Sequence, residues 1–432
     1  MKDFDLDKIK KIAKTGDIRT DLARRTVVAN GIYFSSEDRG FSRNLPQTWN
    51  LELETSNIKD QKGAGLCWLF AELNQIRHQV ESAKKIKNMD FSETFNFFYD
   101  KLEKSNAFLD LVWKFRKSSL SSRENCFIFD HPQGDGGWAT LADNLVDKYG
   151  LVPQNVMPES ENTRMTRNLD NVLTRILRRG GIKIREMSSE ADFIAQKNEI
   201  LADIYRVLSI SLGEPPKKFS WSYRDDKKKI KKFSGTPKEF ANWLDIGKLS
   251  KKHVQIQDIP TLEYGKMYQE KHARLMSGEQ LPYLNLPISE IKPLILTQLK
   301  RGEGVTADIA SSRDMTTKNQ GVMDEKVYDL DNLFGVKFDI SRKDVVRSHE
   351  DLADHDVLIV GADVSRGAAK WYKIENSWGT KVGNDGFWAM SDSWADEHLS
   401  GVVLNSEYLP ENIKKMLNEE PISLEWWEEY GE

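Results

Sequence analysis

The apolar pattern changes period once along this chain, and that change limits the folds open to it. Leu69, Leu73, Ile76 and Val80 keep the spacing of one helix face. A Phe-rich helical region follows over 90–130. Next come a helix from Trp138 to Tyr149, closed by Gly150, and a charge-rich helical stretch over 160–213. A further helix is expected after Pro287, with Ile288, Ile291, Leu294 and Leu299. Beyond it the runs shorten: Val357–Gly361, Trp371–Glu375 and Gly386–Met390 are β-type and broken by Gly, Asn and Asp. Helices gathered in front and strands behind argue for an α+β fold rather than alternating βαβ units. At 432 residues, two or three domains fit, or one domain with large insertions.

Composition removes several classes. Lys plus Arg is 63 and Asp plus Glu is 67, a net charge of 63 − 67 = −4, which excludes a chain built as a polycation. Hydrophobic residues make up 39%, enough for a core, so wholesale disorder is excluded. Two cysteines, Cys67 and Cys126, exclude a disulfide framework and a Cys-rich zinc site. The first residues show no apolar segment of the secretory kind, and no run of about 18 apolar residues occurs, so a cytoplasmic protein without a membrane span is expected. Residues 215–238 hold nine Lys or Arg against two Asp, interleaved with Phe219, Trp221, Tyr223 and Phe233. The plain reading is a solvated charged hairpin; the functional one is weak nucleic-acid binding by phosphate neutralisation and base stacking.

The chemistry gathers around Cys67. It follows Gly63 and Gly65 and opens an apolar helix. Unpaired N–H groups and the helix dipole at that end favour a thiolate, the nucleophilic form of cysteine. A nucleophile needs a base and an orienting group. Of seven histidines, His355 leads directly into a strand, and 376 − 355 = 21 residues on stands Asn376, whose amide oxygen can hold an imidazole. His349 is the rival base, six residues earlier. Cys126 has neither a Gly-rich turn nor a following apolar helix and reads as structural. His78 is expected to point away from the active end, and the remaining histidines to lie on the surface.

QKGAGLCWLFA (61–71) and ENSWG (375–379) resemble the cysteine and asparagine segments of papain-like peptidases. CWLFAELNQIR (67–77), DGGWATLADNLVDKYGLVP (135–153), GVMD (321–324) and LPENIKKMLNEEP (409–421) resemble the bleomycin hydrolase and aminopeptidase C branch. From Cys67 to His355 is 355 − 67 = 288 residues. Compact papain-like enzymes place this histidine only about 130–150 residues downstream, so a large insertion separates the two.

The resemblance implies a two-lobed papain-like fold, a helical lobe and a β-barrel-like lobe, with helical or hook-like insertions. It implies Cys67 as nucleophile, His355 as base, Asn376 as orienter of His355 and Gln61 as oxyanion donor. It implies Gly136, Gly137, Trp378 and Glu432 on the substrate side, with Trp378 covering the His355–Asn376 bond. It implies peptide substrates, a homohexamer, no metal and no organic cofactor. The expected organisation is an N-terminal arm (1–45), a helical lobe with the cysteine (46–160), an inserted region with the basic segment (161–285), a β-rich lobe with His355 and Asn376 (286–410), and a tail entering the cleft (411–432). Two residues depart from the branch pattern. Leu66 stands where Arg is usual, and Asp356 where a small residue is usual. Asp356 is expected on the strand face opposite His355, raising the pKa of that histidine. The competing readings are an endopeptidase with an open cleft and a catalytically impaired binding or regulatory homologue.

Overall fold

The computed structural model describes residues 3–428 apart from 39, 42–44, 47, 87–88, 226, 277, 279, 312–314, 317–320 and 351. Its first lobe is helical and is built around the helix Cys67–Lys84. Leu69, Leu73, Ile76 and Val80 are all buried, as their spacing requires. This helix is covered on both sides. The helix Ala139–Tyr149 lies against one side, and the strands Val305–Ile309 and His355–Ser365 of the second lobe lie against the other. Glu72, Asn74, Gln75, Arg77 and His78 are therefore buried as well. Buried polar groups are costly unless paired, so the second lobe must supply their partners.

The helix Glu93–Phe115 starts at Ser92, whose hydroxyl accepts from the Phe95 N–H at 3.1 Å. It buries Phe95, Phe97, Phe98, Phe108 and Val112. The long helices Arg167–Arg185 and Glu190–Leu212 pack on it and on each other. Gly150 ends the Ala139–Tyr149 helix at φ +87°, and a Cβ there would stand 2.3 Å from the Pro237 backbone. Only glycine meets both conditions.

The second lobe is a single sheet of twelve strands among the described residues. Its centre runs His253–Gln257, Leu399–Asn405, Val305–Ile309, His355–Ser365, Ala368–Glu375 and Phe387–Ser391, each antiparallel to the next. Leu51–Glu52 adds to His355–Ser365. The sheet buries Val357, Ile359, Tyr372, Ile374 and Trp388 against the helix Ile288–Lys300 and its neighbours. The expected inserted region, 161–285, divides in the structure. Residues up to Leu249 share the core of the helical lobe, whereas the strands His253–Gln257, Lys266–Glu270 and Tyr283–Asn285 belong to the sheet.

The basic segment is a hairpin, Phe219–Arg224 paired with Ile230–Gly235. Its aromatic residues are committed internally. Trp221 stacks on Tyr223 at 4.9 Å, and both meet Trp243. Phe233 packs on Phe240 at 5.0 Å. The lysines at 227–229 are exposed, but base stacking by these rings would require unpacking them.

Candidate active site

The lobes meet over a cavity of about 520 Å³ that is lined by Cys67, Trp68, Gly136, Gly137 and His355. Cys67 is the first residue of its helix, after Leu66, which is itself buried. His355 is the first residue of its strand. Its Nε2 lies 2.9 Å from Asn376 Oδ1. The Ser377 N–H donates to the same oxygen at 2.7 Å, which identifies that atom as the acceptor and not the amide nitrogen. Nε2 therefore carries the proton, and Nδ1 is left with a lone pair. Trp378 stacks on the imidazole at 4.6 Å and 26°. It covers the ring that makes the His355–Asn376 bond and does not line the cavity wall.

Gly136 and Gly137 both line the cavity. A Cβ on Gly136 would meet nothing within 4 Å, whereas one on Gly137 would strike the Trp68 ring at 2.8 Å. Gln61 is buried beside the asparagine. Its N–H donates to Ser377 O at 2.7 Å, its side-chain Nε2 donates to Ala64 O at 2.7 Å, and its Oε1 accepts from the Ser377 hydroxyl. Glu432 lies outside the described residues.

Position on a helix N-terminus alone does not make Cys67 a thiolate, contrary to expectation. Burial pushes the thiol up to about 12, and the charge of Asp356 adds to it; the backbone N–H groups of Asp356 and Trp68 pull the other way. Burial also pushes His355 down, against the Asn376 hydrogen bond and the charge of Asp354. Both shifts favour neutral forms in a dry site. The expected influence of Asp356 on His355 falls instead to Asp354. Asp356 pairs across the strands with Asp308, and its charge acts on Cys67. Both it and His355 reach the cavity because the cavity opens at the end of their strand.

Three histidines expected on the surface, or pointing idly away, are buried. His78 Nε2 meets Glu375 Oε2 at 2.8 Å, and Arg77 donates to Glu375 Oε1 at 2.9 Å. This clasp joins the cysteine helix to the residue before Asn376. His398 is buried against Trp394, ring to ring at 4.4 Å. His253 Nδ1 stands 3.0 Å from Asp143 Oδ2 and 3.3 Å from Glu72 Oε1. These three are the only metal-ligand grouping among the described residues.

Burial opposes a charge on His253, but Asp143 and Glu72 outweigh it and raise its pKa above the ordinary 6.5. A raised histidine stabilises the fold fully below that value and loses its contribution as pH rises through the folded pKa. The difference in unfolding free energy between wild type and His253→Gln should therefore shrink as pH rises above 6.5. Denaturant titrations across pH 6–10 (about that range) check this; a difference that grows with pH contradicts it.

Among the other candidates, Cys126 is exposed, its Sγ 3.6 Å from Leu120 O. His349 follows a short helix at φ +56° and takes no part in the cavity wall, whereas His355 does. His131 does line that wall. Sequence offered no sign of it beyond its nearness to the Gly134–Gly137 turn.

A nucleophile at a helix start in one lobe, with a histidine held by an asparagine in the other, defines a two-lobed papain-like cysteine peptidase. Comparison with known proteins makes this specific. A profile of the Peptidase C1-like family matches residues 4–431, and the chain belongs to that family. It is 35% identical to Aminopeptidase C of Lactobacillus delbrueckii subsp. lactis, over 95% of this chain and 93% of that protein. It is 34% identical to Aminopeptidase G of the same organism, over 95% of each. The crystal structure of pepw from Lactobacillus rhamnosis HN001 superposes with a TM-score of 0.95 at 32% identity, covering 100% of this chain and 99% of that one. The resemblance read from the cysteine and asparagine motifs thus extends along the whole chain.

Proposed function

We propose that this chain is a cysteine aminopeptidase that removes N-terminal residues from peptides through a thioester. The His355–Asn376 bond at 2.9 Å, in the cavity that Cys67 opens into, is the observation that carries the reading. Cys67 Sγ attacks the first peptide carbonyl while its proton passes to His355 Nδ1. The C–N bond breaks as His355 returns the proton to the leaving amine. Water then adds to the thioester with His355 again as base, freeing the amino acid and the thiol. The Cys67 N–H and the second Gln61 amide proton serve the developing oxyanion. Such donors are each worth about 2.7–4 kcal/mol in the transition state.

The tail is what makes the enzyme act on free N-termini. Ile422–Leu424 runs parallel to Lys266–Glu270, and Trp426 stacks on Phe127 at 4.6 Å. Phe127 in turn contacts His131 and Arg274, both on the cavity wall. The described chain therefore reaches the rim of the cavity. A tail that continued into the cavity would block its far subsites and confine the enzyme to free N-termini. Self-association into a hexamer is supported by exposed apolar residues on the N-terminal helices, among them Ile12, Ile18 and Val28. A reducing, cytoplasmic setting suits two free cysteines, one of them the nucleophile. No helix among the described residues is long and apolar enough to cross a membrane. Any contact of the 215–238 hairpin with nucleic acid would be electrostatic, through its exposed lysines.

An aminoacyl fluorogenic amide with a free amine should be hydrolysed at least about 100-fold faster than its N-acetylated twin (the scale of losing one charged contact). Equal rates would mean that the tail leaves the cleft open and that the enzyme is an endopeptidase.

A further inference from the structure

Two buried acids stand in the catalytic cavity without a cation. Asp308 and Asp356 face each other across paired strands, and both belong to the cavity wall. Asp308 is 5% exposed and Asp356 8%. Asp308 is fixed in place: Gln255 and Gln257 each donate to its Oδ2 at 2.7 Å. Its Oδ1 is buried and receives no N–H or hydroxyl donor; what faces it is the Asp356 carboxyl.

The basic residues of the same wall are engaged elsewhere. Lys104 pairs with Asp100 at 2.9 Å, Arg274 with Glu270 at 2.8 Å, and Arg342 with Asp258 at 3.2 Å. None reaches the Asp308–Asp356 pair. Asp354 and Glu397 also line the wall, so the charge there is negative on balance. Two carboxyls in contact hold either a shared proton or a cation between them. Burial raises both carboxyls; Asp308 raises Asp356 further, while the hydrogen bond from Asp356, with those from Gln257 and Gln255, favours the ionised form of Asp308. A group that brings its own positive charge and three donors satisfies the pair better than one proton does. An ammonium is such a group.

We propose that Asp308 and Asp356 form a cation subsite of the catalytic cavity that receives the N-terminal ammonium of the peptide substrate. This rests on the aminopeptidase reading, since in that reading the ammonium lies one residue from the carbonyl that Cys67 attacks. Cys67 lines the same cavity wall as both acids, so the subsite and the nucleophile share one cavity. Asp356 is in this role a specificity residue, and Asp308 both shares the charge and holds Asp356 in place.

The test uses binding, so that it does not depend on turnover. L-leucinamide and its neutral isostere, in which a hydroxyl replaces the α-amine, are compared as protectors of Cys67 against iodoacetamide at about pH 6.5, where an α-amine is charged. The protection midpoint is independent of the basal alkylation rate. In wild type, leucinamide should protect at a concentration about ten- to hundredfold below that of the hydroxyl amide, the range of a charge-assisted contact. In Asp356→Asn that preference should collapse to within about threefold, with the hydroxyl amide midpoint unmoved. Asp308→Asn serves as the second variant if the first does not fold. A preference that survives in both variants, or one that is missing in wild type, overturns the subsite. A wild-type preference without cleavage of a leucyl fluorogenic amide would overturn the aminopeptidase reading and leave the subsite standing.

Discussion

Replacing Cys67 with Ala should lower turnover of a free-amine aminoacyl amide by about 10⁴- to 10⁶-fold, the scale of losing a covalent nucleophile. Among the described residues of the cavity wall, Cys67 alone supplies a thiol that can form a thioester. Burial favours neutral His355, which can still act as a base toward water, but without the sulfur the covalent route that splits the reaction into two easier steps is lost. The fold should survive, because alanine is a good helix former and Cys67 sits at the first helical position. A variant that melts like wild type yet keeps more than about a hundredth of the rate would show that the chemistry runs through another group.

The second large effect is structural. Glu375→Ala should destabilise the protein by about 3–5 kcal/mol, the cost of stranding a buried charge by removing its partner. Arg77 is 1% exposed and would keep its charge with only Asp90 beside it, at 3.1 Å. His78 loses the same partner. Glu375→Gln, which keeps one acceptor and the shape, should cost less. Activity should fall in the alanine variant even under conditions where it remains folded, because Glu375 holds the strand end that carries Asn376 against the helix that carries Cys67. Urea titration of the three proteins, with rates measured below the transition, checks both parts. A loss under about 1 kcal/mol would mean that the clasp behaves as a surface ion pair.

The site was legible in sequence where its signals are local. The glycines before Cys67, the apolar helix after it and the Glu-Asn-Ser-Trp-Gly run each announce a conformation within a few residues. His355 was legible because it opens a strand. Partners distant in sequence were not legible. Glu375 finds Arg77 and His78 across 298 and 297 residues. His253 looked like a surface histidine after two lysines until the helices brought Glu72 and Asp143 to it. Asp356 was noticed as a departure, but its partner Asp308 was not, since only strand pairing joins them. At Cys67 the weak effect of a helix N-terminus is opposed by burial and by the charge of Asp356, both of which push the thiol up. The hairpin at 219–235 was read correctly as a hairpin, but its aromatic rings face inward to Phe240 and Trp243.

The central claim is that a thioester forms on Cys67 with the N-terminal acyl group of the substrate. Rapid acid quench of the enzyme with an activated leucine ester, followed by intact-mass and peptide-level mass spectrometry, tests it directly. The account predicts an adduct of one leucyl group on the peptide that contains Cys67, absent in Cys67→Ala and absent when the ester carries an acetylated amine. Product formed by active wild type without that adduct under any quench time, or with the acyl group on another residue, would contradict it.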